Sequence, residues 1–282
     1  MNTQRTSRPI VLPGGRTTLE LAGEGRPLLY LHGLSSSPEA ALASAPPGHR
    51  VASPWQRGHG DHDWSTEPSA YALSGFVADA LAVLDELGWE RAAVGGTSMG
   101  AAVALRLALD HPERVERLFL AGPAFSEVPN PELSLMVEMA DHLEGDEMAP
   151  CIERLLAWQR RRGVPPEMSV AVEGLAVHRP GPLAAALRVV STWVALGADD
   201  DLGRLPSTAV VGWPDDPIHP LDLARRMAEA TGGRLATVSG LVEVLADPGC
   251  IRRAWPTDGN GAPEGTGTIR GGDDGRDDAV RD

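Results

Sequence analysis

The sequence predicts an α/β fold, a mostly parallel sheet flanked by helices, on three observations. From Pro27 onward, short apolar runs alternate with segments of helical period, the pattern of strands joined by crossover helices. The stretch Val94 to Leu105, VGGTSMGAAVAL, sets a serine among glycines where one such strand meets one such helix. The chain has 282 residues, 42% hydrophobic and 23% charged, enough apolar content to bury a sizeable core, which excludes disorder throughout.

Taken in order, Pro27 to Leu31 (PLLYL) reads as a buried strand ending at His32-Gly33, and Val51 to Ser53 as a second. Leu73, Phe76, Val77, Ala80, Leu81, Leu84 and Leu87 form a helical stripe closed by Gly88. A strand from Arg91 to Val94, the Ser98 turn and a helix to Asp110 follow, then the strand Leu118 to Gly122. From about Ala124 to Arg204 the strand pattern lapses while helical period continues, which predicts a helical insertion. Leu133, Met136, Val137 and Ala140 make one of its stripes, and Leu183, Leu187, Val190 and Val194 another. The sheet resumes at Thr208 to Trp213, followed by a helix from Leu221 to Ala230 and a strand from Arg234 to Val238. One domain over residues 1–255 is expected. The Gly- and Asp-rich segment 256–282 has too little apolar surface to offset its ordering entropy and is expected to be a disordered acidic tail.

The formal net charge of -14 excludes polyanions such as nucleic acid as partners, because binding phosphates needs clustered cations. Every basic residue is Arg; with no Lys, Schiff-base and Ser-Lys chemistry are excluded. Cys151 and Cys250 form no C-x-x-C pair, so neither structural zinc nor any other metal is expected. No apolar run suits a signal peptide or a membrane span, and a cytoplasmic protein is expected.

Gly96-Thr97-Ser98-Met99-Gly100 fits G-x-S-x-G with a strand before it and an Ala-rich helix after it, the context in which a sharp turn exposes a serine hydroxyl. Three further segments accompany it: HGLSSS (His32 to Ser37), RVASPWQRGHGDHD (Arg50 to Asp63) and WPDDPIHP (Trp213 to Pro220). On these residues the chain, from about Thr17 to Trp255, resembles the α/β-hydrolase superfamily, specifically esterase, lipase and haloperoxidase-like members with a helical cap. The resemblance implies a nucleophile at Ser98, oxyanion-hole N–H groups at Leu34 and Met99, and an acid at Asp216. It implies no cofactor. It also implies a histidine just beyond the last strand, where this sequence has Leu241.

Leucine cannot accept a proton. No histidine follows His219. The candidate substitutes are His219, three residues beyond Asp216 and otherwise a capping or surface residue, and His178 in the insertion. His32 and His59 are assigned to local turns, His62 to the neighbourhood of the second turn, and His49, His111 and His142 to the surface. Trp55, Trp158, Trp193 and Trp213 are candidates to shape a cavity or to fill core, and Arg160, Arg161 and Arg162 read as a solvated face. The expected function is serine-hydrolase chemistry on a small carboxylic ester or related acyl bond, with turnover impaired by Leu241 and restored by Leu241→His. The alternative is a non-catalytic protein of the same fold that binds a small molecule. In either reading the partner is a small apolar or ester-type substrate or ligand.

Overall fold

The computed structural model describes residues 5–143, 147–165 and 174–256. An antiparallel hairpin, β1 (Thr6–Leu12) and β2 (Gly15–Ala22), begins the chain. It is followed by β3 (Arg26–Leu31), β4 (His49–Pro54), β5 (Ala92–Thr97), β6 (Val115–Ala121), β7 (Thr208–Gly212) and β8 (Arg234–Thr237). Together they form one sheet in the order β1-β2-β4-β3-β5-β6-β7-β8. β2 joins β4 antiparallel, and every pairing from β4 across to β8 is parallel. The fold class read from the sequence is the one observed.

β5 and β7 are buried almost end to end, as strands covered by helices on both faces must be, and so they read as continuous apolar runs. The hairpin extends the sheet beyond the Pro27 start expected from sequence. Its signal is of the other kind: Ile10 and Leu12 point inward while Val11 is 72% exposed, the period-two pattern of a sheet edge buried on one face.

The flanking helices are α1 (Pro38–Ser44), α2 (Leu73–Glu86), α3 (Met99–Asp110), α4 (Ser134–Leu143), α5 (Met148–Arg160), α6 (Pro180–Val190), α7 (Leu221–Ala230), α8 (Leu241–Ala246) and α9 (Gly249–Ala254). α3 packs on β3, β5 and β6, which seats it behind the centre of the sheet. Its Ala-rich run allows that close approach, and Met99 to Leu105 are all buried.

Between β6 and β7 lie α4, α5 and α6, with α4 packed on both of the others. The face of α4 differs from the expected stripe. Leu135, Met139, Ala140 and Leu143 are buried, while Val137 is 36% exposed and Met136 turns toward a cavity. The stripe is displaced because α4 serves two apolar surroundings at once. In the second expected stripe, Leu183, Leu187 and Val190 are buried, whereas Val194 lies beyond α6 and is exposed. The acidic tail lies, beyond Pro256, outside the described residues. No helix among the described residues is long and apolar enough to cross a membrane.

Candidate active site

Ser98 stands at the C-terminal end of β5, between that strand and α3. Its backbone is held at φ 55°, a left-handed conformation unusual for a residue with a side chain, and its N–H is tied to the Ala121 carbonyl at 2.9 Å. The two motif glycines explain how so tight a turn fits. A Cβ on Gly96 would lie 2.4 Å from the Gly100 carbonyl carbon, and one on Gly100 would lie 2.1 Å from the Leu31 carbonyl oxygen. Any side chain there would drive α3 off the sheet.

Asp216 lies in the loop that leaves β7, with its side chain fully enclosed. Its Oδ1 accepts the Ile218 N–H at 3.0 Å, a local turn two residues long of the kind Asp favours. This turn folds Pro217-Ile218 back on itself and carries His219 over the carboxylate. His219 Nδ1 then meets Asp216 Oδ2 at 2.6 Å, and its Nε2 meets Ser98 Oγ at 2.8 Å. With the Nδ1 proton donated to Asp216, Nε2 is the free acceptor for the Ser98 hydroxyl. The Trp213 indole N–H donates to the same Oδ2 at 2.8 Å.

Burial by itself would raise the Asp216 pKa. The interaction with His219 and the hydrogen bonds from Trp213 and the Ile218 N–H outweigh that and hold it down at about 2. A carboxyl whose pKa is depressed by folding contributes stability above its unfolded value, near ~3.9, and loses it as pH falls through the folded value. Urea unfolding followed from pH 5 to pH 2 should therefore reveal a loss on the order of 2 kcal/mol from this group, and the pH dependence of Asp216→Asn should lack it.

Met99 directly follows Ser98 in the chain, and Leu34 lies in the loop that follows β3. Met99 is the first residue of α3, where backbone N–H groups have no partner within the helix. Leu34 and Ser98 both line one cavity. The Leu34 loop is locked from behind by histidines. His59 Nε2 accepts the Ser35 N–H at 2.9 Å while its Nδ1 donates to the Arg57 carbonyl. His32 Nε2 accepts the Gln56 N–H at 3.1 Å and its Nδ1 donates to the Gly33 carbonyl. Burial, above all, pushes the His32 pKa down to about 3, against the pull of the Gly33 carbonyl, and holds that of His59 well below its ordinary value. Both rings are therefore neutral near pH 7, as acceptors of N–H bonds must be. The sequence assigns both rings to local turns; each also accepts from a backbone N–H 24 residues away, a contact that neither turn records.

Of the two substitute histidines, the structure brings His219 to Ser98 and Asp216. His178 lies elsewhere: its Nδ1 accepts the Gly60 N–H at 2.8 Å, and its ring packs on His59 and Trp55. Leu241 begins α8 and is buried in the cavity wall. The reading of His219 as a capping or surface residue is corrected. The Asp216 turn draws its ring inward, leaving the side chain 17% exposed.

The cavity measures about 590 Å³ and is largely apolar. Leu133, Met136, Leu155 and Trp158 form its wall on the helical insertion. Of the four candidate tryptophans, Trp158 and Trp213 reach it. Trp193 instead packs against Phe76 and Phe125, and Trp55 against His32 and His178. Arg162 stacks 3.9 Å over the Trp158 ring, a cation–π contact that holds the outer face of that wall.

Comparisons with known proteins bear on the fold and the family. The model of the alpha/beta hydrolase fold family matches residues 26–162. The chain is 33% identical over 220 residues to a pimeloyl-[acyl-carrier protein] methyl ester esterase of Aromatoleum aromaticum, covering 71% of this chain and 84% of the esterase. It is 38% identical over 129 residues to a 2-hydroxymuconate semialdehyde hydrolase of Pseudomonas putida, covering 41% of this chain and 42% of that enzyme. The match thus spans less than half the length of the latter relative. Among solved structures, the enol-lactonase of Burkholderia xenovorans LB400 superposes with a TM-score of 0.70 at 18% identity, over 87% of this chain and 97% of that one, a likeness of fold. The elbow at Ser98, the parallel sheet beneath it and the esterase match together establish that the chain belongs to the alpha/beta hydrolase fold family.

Proposed function

We propose that the protein is a serine hydrolase of carboxylic esters or related acyl bonds, working through Ser98, His219 and Asp216. The observation that carries this reading is the pair of hydrogen bonds by which His219 joins Ser98 Oγ to Asp216 Oδ2, at 2.8 and 2.6 Å. Ser98 Oγ attacks the carbonyl carbon and its proton passes to His219 Nε2. The negative charge on the former carbonyl oxygen is met by the N–H groups of Leu34 and Met99, each such donor worth on the order of 3 kcal/mol in the transition state. Asp216 holds the ring in the required tautomer and stabilises the imidazolium. The same proton then goes to the departing alkoxide, leaving Ser98 acylated. Water, deprotonated by His219, attacks the acyl group and releases the acid, and the proton returns to Ser98. The helices between β6 and β7 act as the cap that excludes bulk water.

The alternative of a non-catalytic binding protein rested on Leu241 in the place of the base. A histidine within hydrogen-bond reach of the hydroxyl favours catalysis over that alternative. Two measurements test the choice. A fluorophosphonate probe should label the protein within minutes and fail to label Ser98→Ala, and p-nitrophenyl acetate should be hydrolysed well above the uncatalysed rate. Absence of both labelling and hydrolysis would favour the binding protein.

A further inference from the structure

Beyond the helical insertion, the cavity in front of Ser98 also has an arm bounded by α1, α8 and α9. Ala40, Ala41 and Ala43 of α1 line it, together with Val244 and Leu245 of α8 and Ile251 of α9. Three alanines in seven residues leave α1 with almost no side-chain bulk on that wall. Leu241, at the position where the resemblance implied a histidine, lines it as well. Because the His219 ring approaches Ser98 from the β7–α7 loop instead, position 241 is apolar. Glu39, at the first turn of α1, is paired with Arg5.

The helices that bound the arm are tied to each other. Trp255 Nε1 donates to the Ser44 carbonyl at 2.8 Å, Arg252 Nη1 to the Ala45 carbonyl at 2.8 Å, and Ser44 Oγ to the Pro248 carbonyl at 3.3 Å. These bonds pin the last turn of α1 to the α9 segment and keep the two walls from separating. A seven-residue helix spans about 10 Å, the length of roughly eight methylene groups at ordinary bond geometry.

The polar groups fix which part of a substrate enters. A leaving group must lie within reach of His219 Nε2. The His219 loop adjoins the α4 side, since Asn130 Nδ2, just before α4, donates to the Ile218 carbonyl at 2.9 Å. The oxyanion loop runs the other way: Leu34 to Ser37 lead directly into α1, with Ser37 as its N-cap. A carbonyl oxygen held between the Leu34 and Met99 N–H groups, with its leaving group toward His219, directs its remaining substituent along α1.

Resting on the hydrolase reading above, we infer that this arm receives the acyl chain, and that the substrates are esters or thioesters of straight-chain, medium-length carboxylic acids. Leu241, Val244, Leu245 and the α1 alanines set the chain-length preference, and the leaving group lies beneath α4 and α5.

The test compares kcat/KM for p-nitrophenyl acetate, butyrate, hexanoate and octanoate. Each methylene buried in the arm should raise it about fourfold. The octanoate-to-acetate ratio should fall by about a hundredfold in Ala40→Phe, which blocks the arm, and change by less than about threefold in Met136→Trp, on the helical insertion. Partial misfolding lowers both rates together and cancels in the ratio. A flat chain-length profile, or a ratio that responds to Met136→Trp and not to Ala40→Phe, would overturn the inference. If no ester is hydrolysed, the hydrolase reading fails by itself, and calorimetric titration of Ser98→Ala with octanoate decides the arm. Binding that is lost in Ser98→Ala/Ala40→Phe upholds it, and no binding overturns it.

Discussion

Replacing His219 by Ala should lower kcat for p-nitrophenyl acetate by on the order of 10^5 to 10^6, about 7 to 8 kcal/mol of transition-state stabilisation, with little change in KM. The size follows from what the ring does. Without it the Ser98 proton has no acceptor, and what remains is the oxyanion hole and substrate binding, typically 10^3 to 10^4 over water. Asp216→Asn should cost about 10^4. Its Oδ2 accepts from both His219 Nδ1 and Trp213 Nε1, so a carboxamide NH2 in that place would oppose two donors and turn the ring away. Leu241→His in the intact protein should not raise kcat, because the hydroxyl already has its partner. If His219→Ala kept near-normal turnover while Leu241→His increased it, the base would not be His219. Circular dichroism of each variant separates lost chemistry from lost fold.

Gly100→Ala should be the most damaging single-methyl change in the molecule. The added carbon would lie 2.1 Å from the Leu31 carbonyl oxygen, 2.5 Å from its carbon and 2.8 Å from the His32 carbonyl oxygen. All three are backbone atoms of the central sheet and the oxyanion loop, so no side chain can rotate to make room, and α3 must move off β3. Overpacking of this kind costs about 3 kcal/mol or more, a fall in melting temperature of roughly 10 °C for a domain of this size. The same displacement moves Ser98 and the Met99 N–H away from the reacting carbon, and a shift near 1 Å costs on the order of 10^2 in rate. Thermal melts and kcat measured on one preparation check both effects. A stable, fully active Gly100→Ala would mean that α3 sits farther from β3 than a 2.1 Å contact implies.

Much of this was legible before any coordinates. The strand-turn-helix context of Ser98 lies within a dozen consecutive residues, and the glycines it requires are imposed by contacts inside that segment and with the adjacent strand. Asp216 was legible for a similar reason, because the Asp-Pro turn after β7 is local chemistry. The hairpin β1–β2 leaves no continuous apolar run in the sequence, because a half-buried edge alternates with period two. The α4 stripe was displaced because one face of a short helix meets core and another meets the cavity, a division that periodicity does not record.

The amino-acid sequence by itself determined the fold class, the serine at the strand–helix turn and the carboxylate three residues before His219. Those features are specified by neighbours in the chain: backbone sterics at the glycines, apolar period along strands and helices, and the turn preference of Asp. Which histidine meets the serine was decided by tertiary structure alone. His219 and Ser98 are 121 residues apart, on separate crossovers, and they meet because β5, β6 and β7 lie side by side and parallel, so that their C-terminal ends open onto one rim. The distance between two side chains on that rim depends on sheet order and loop path, neither of which is written in the residues flanking either one.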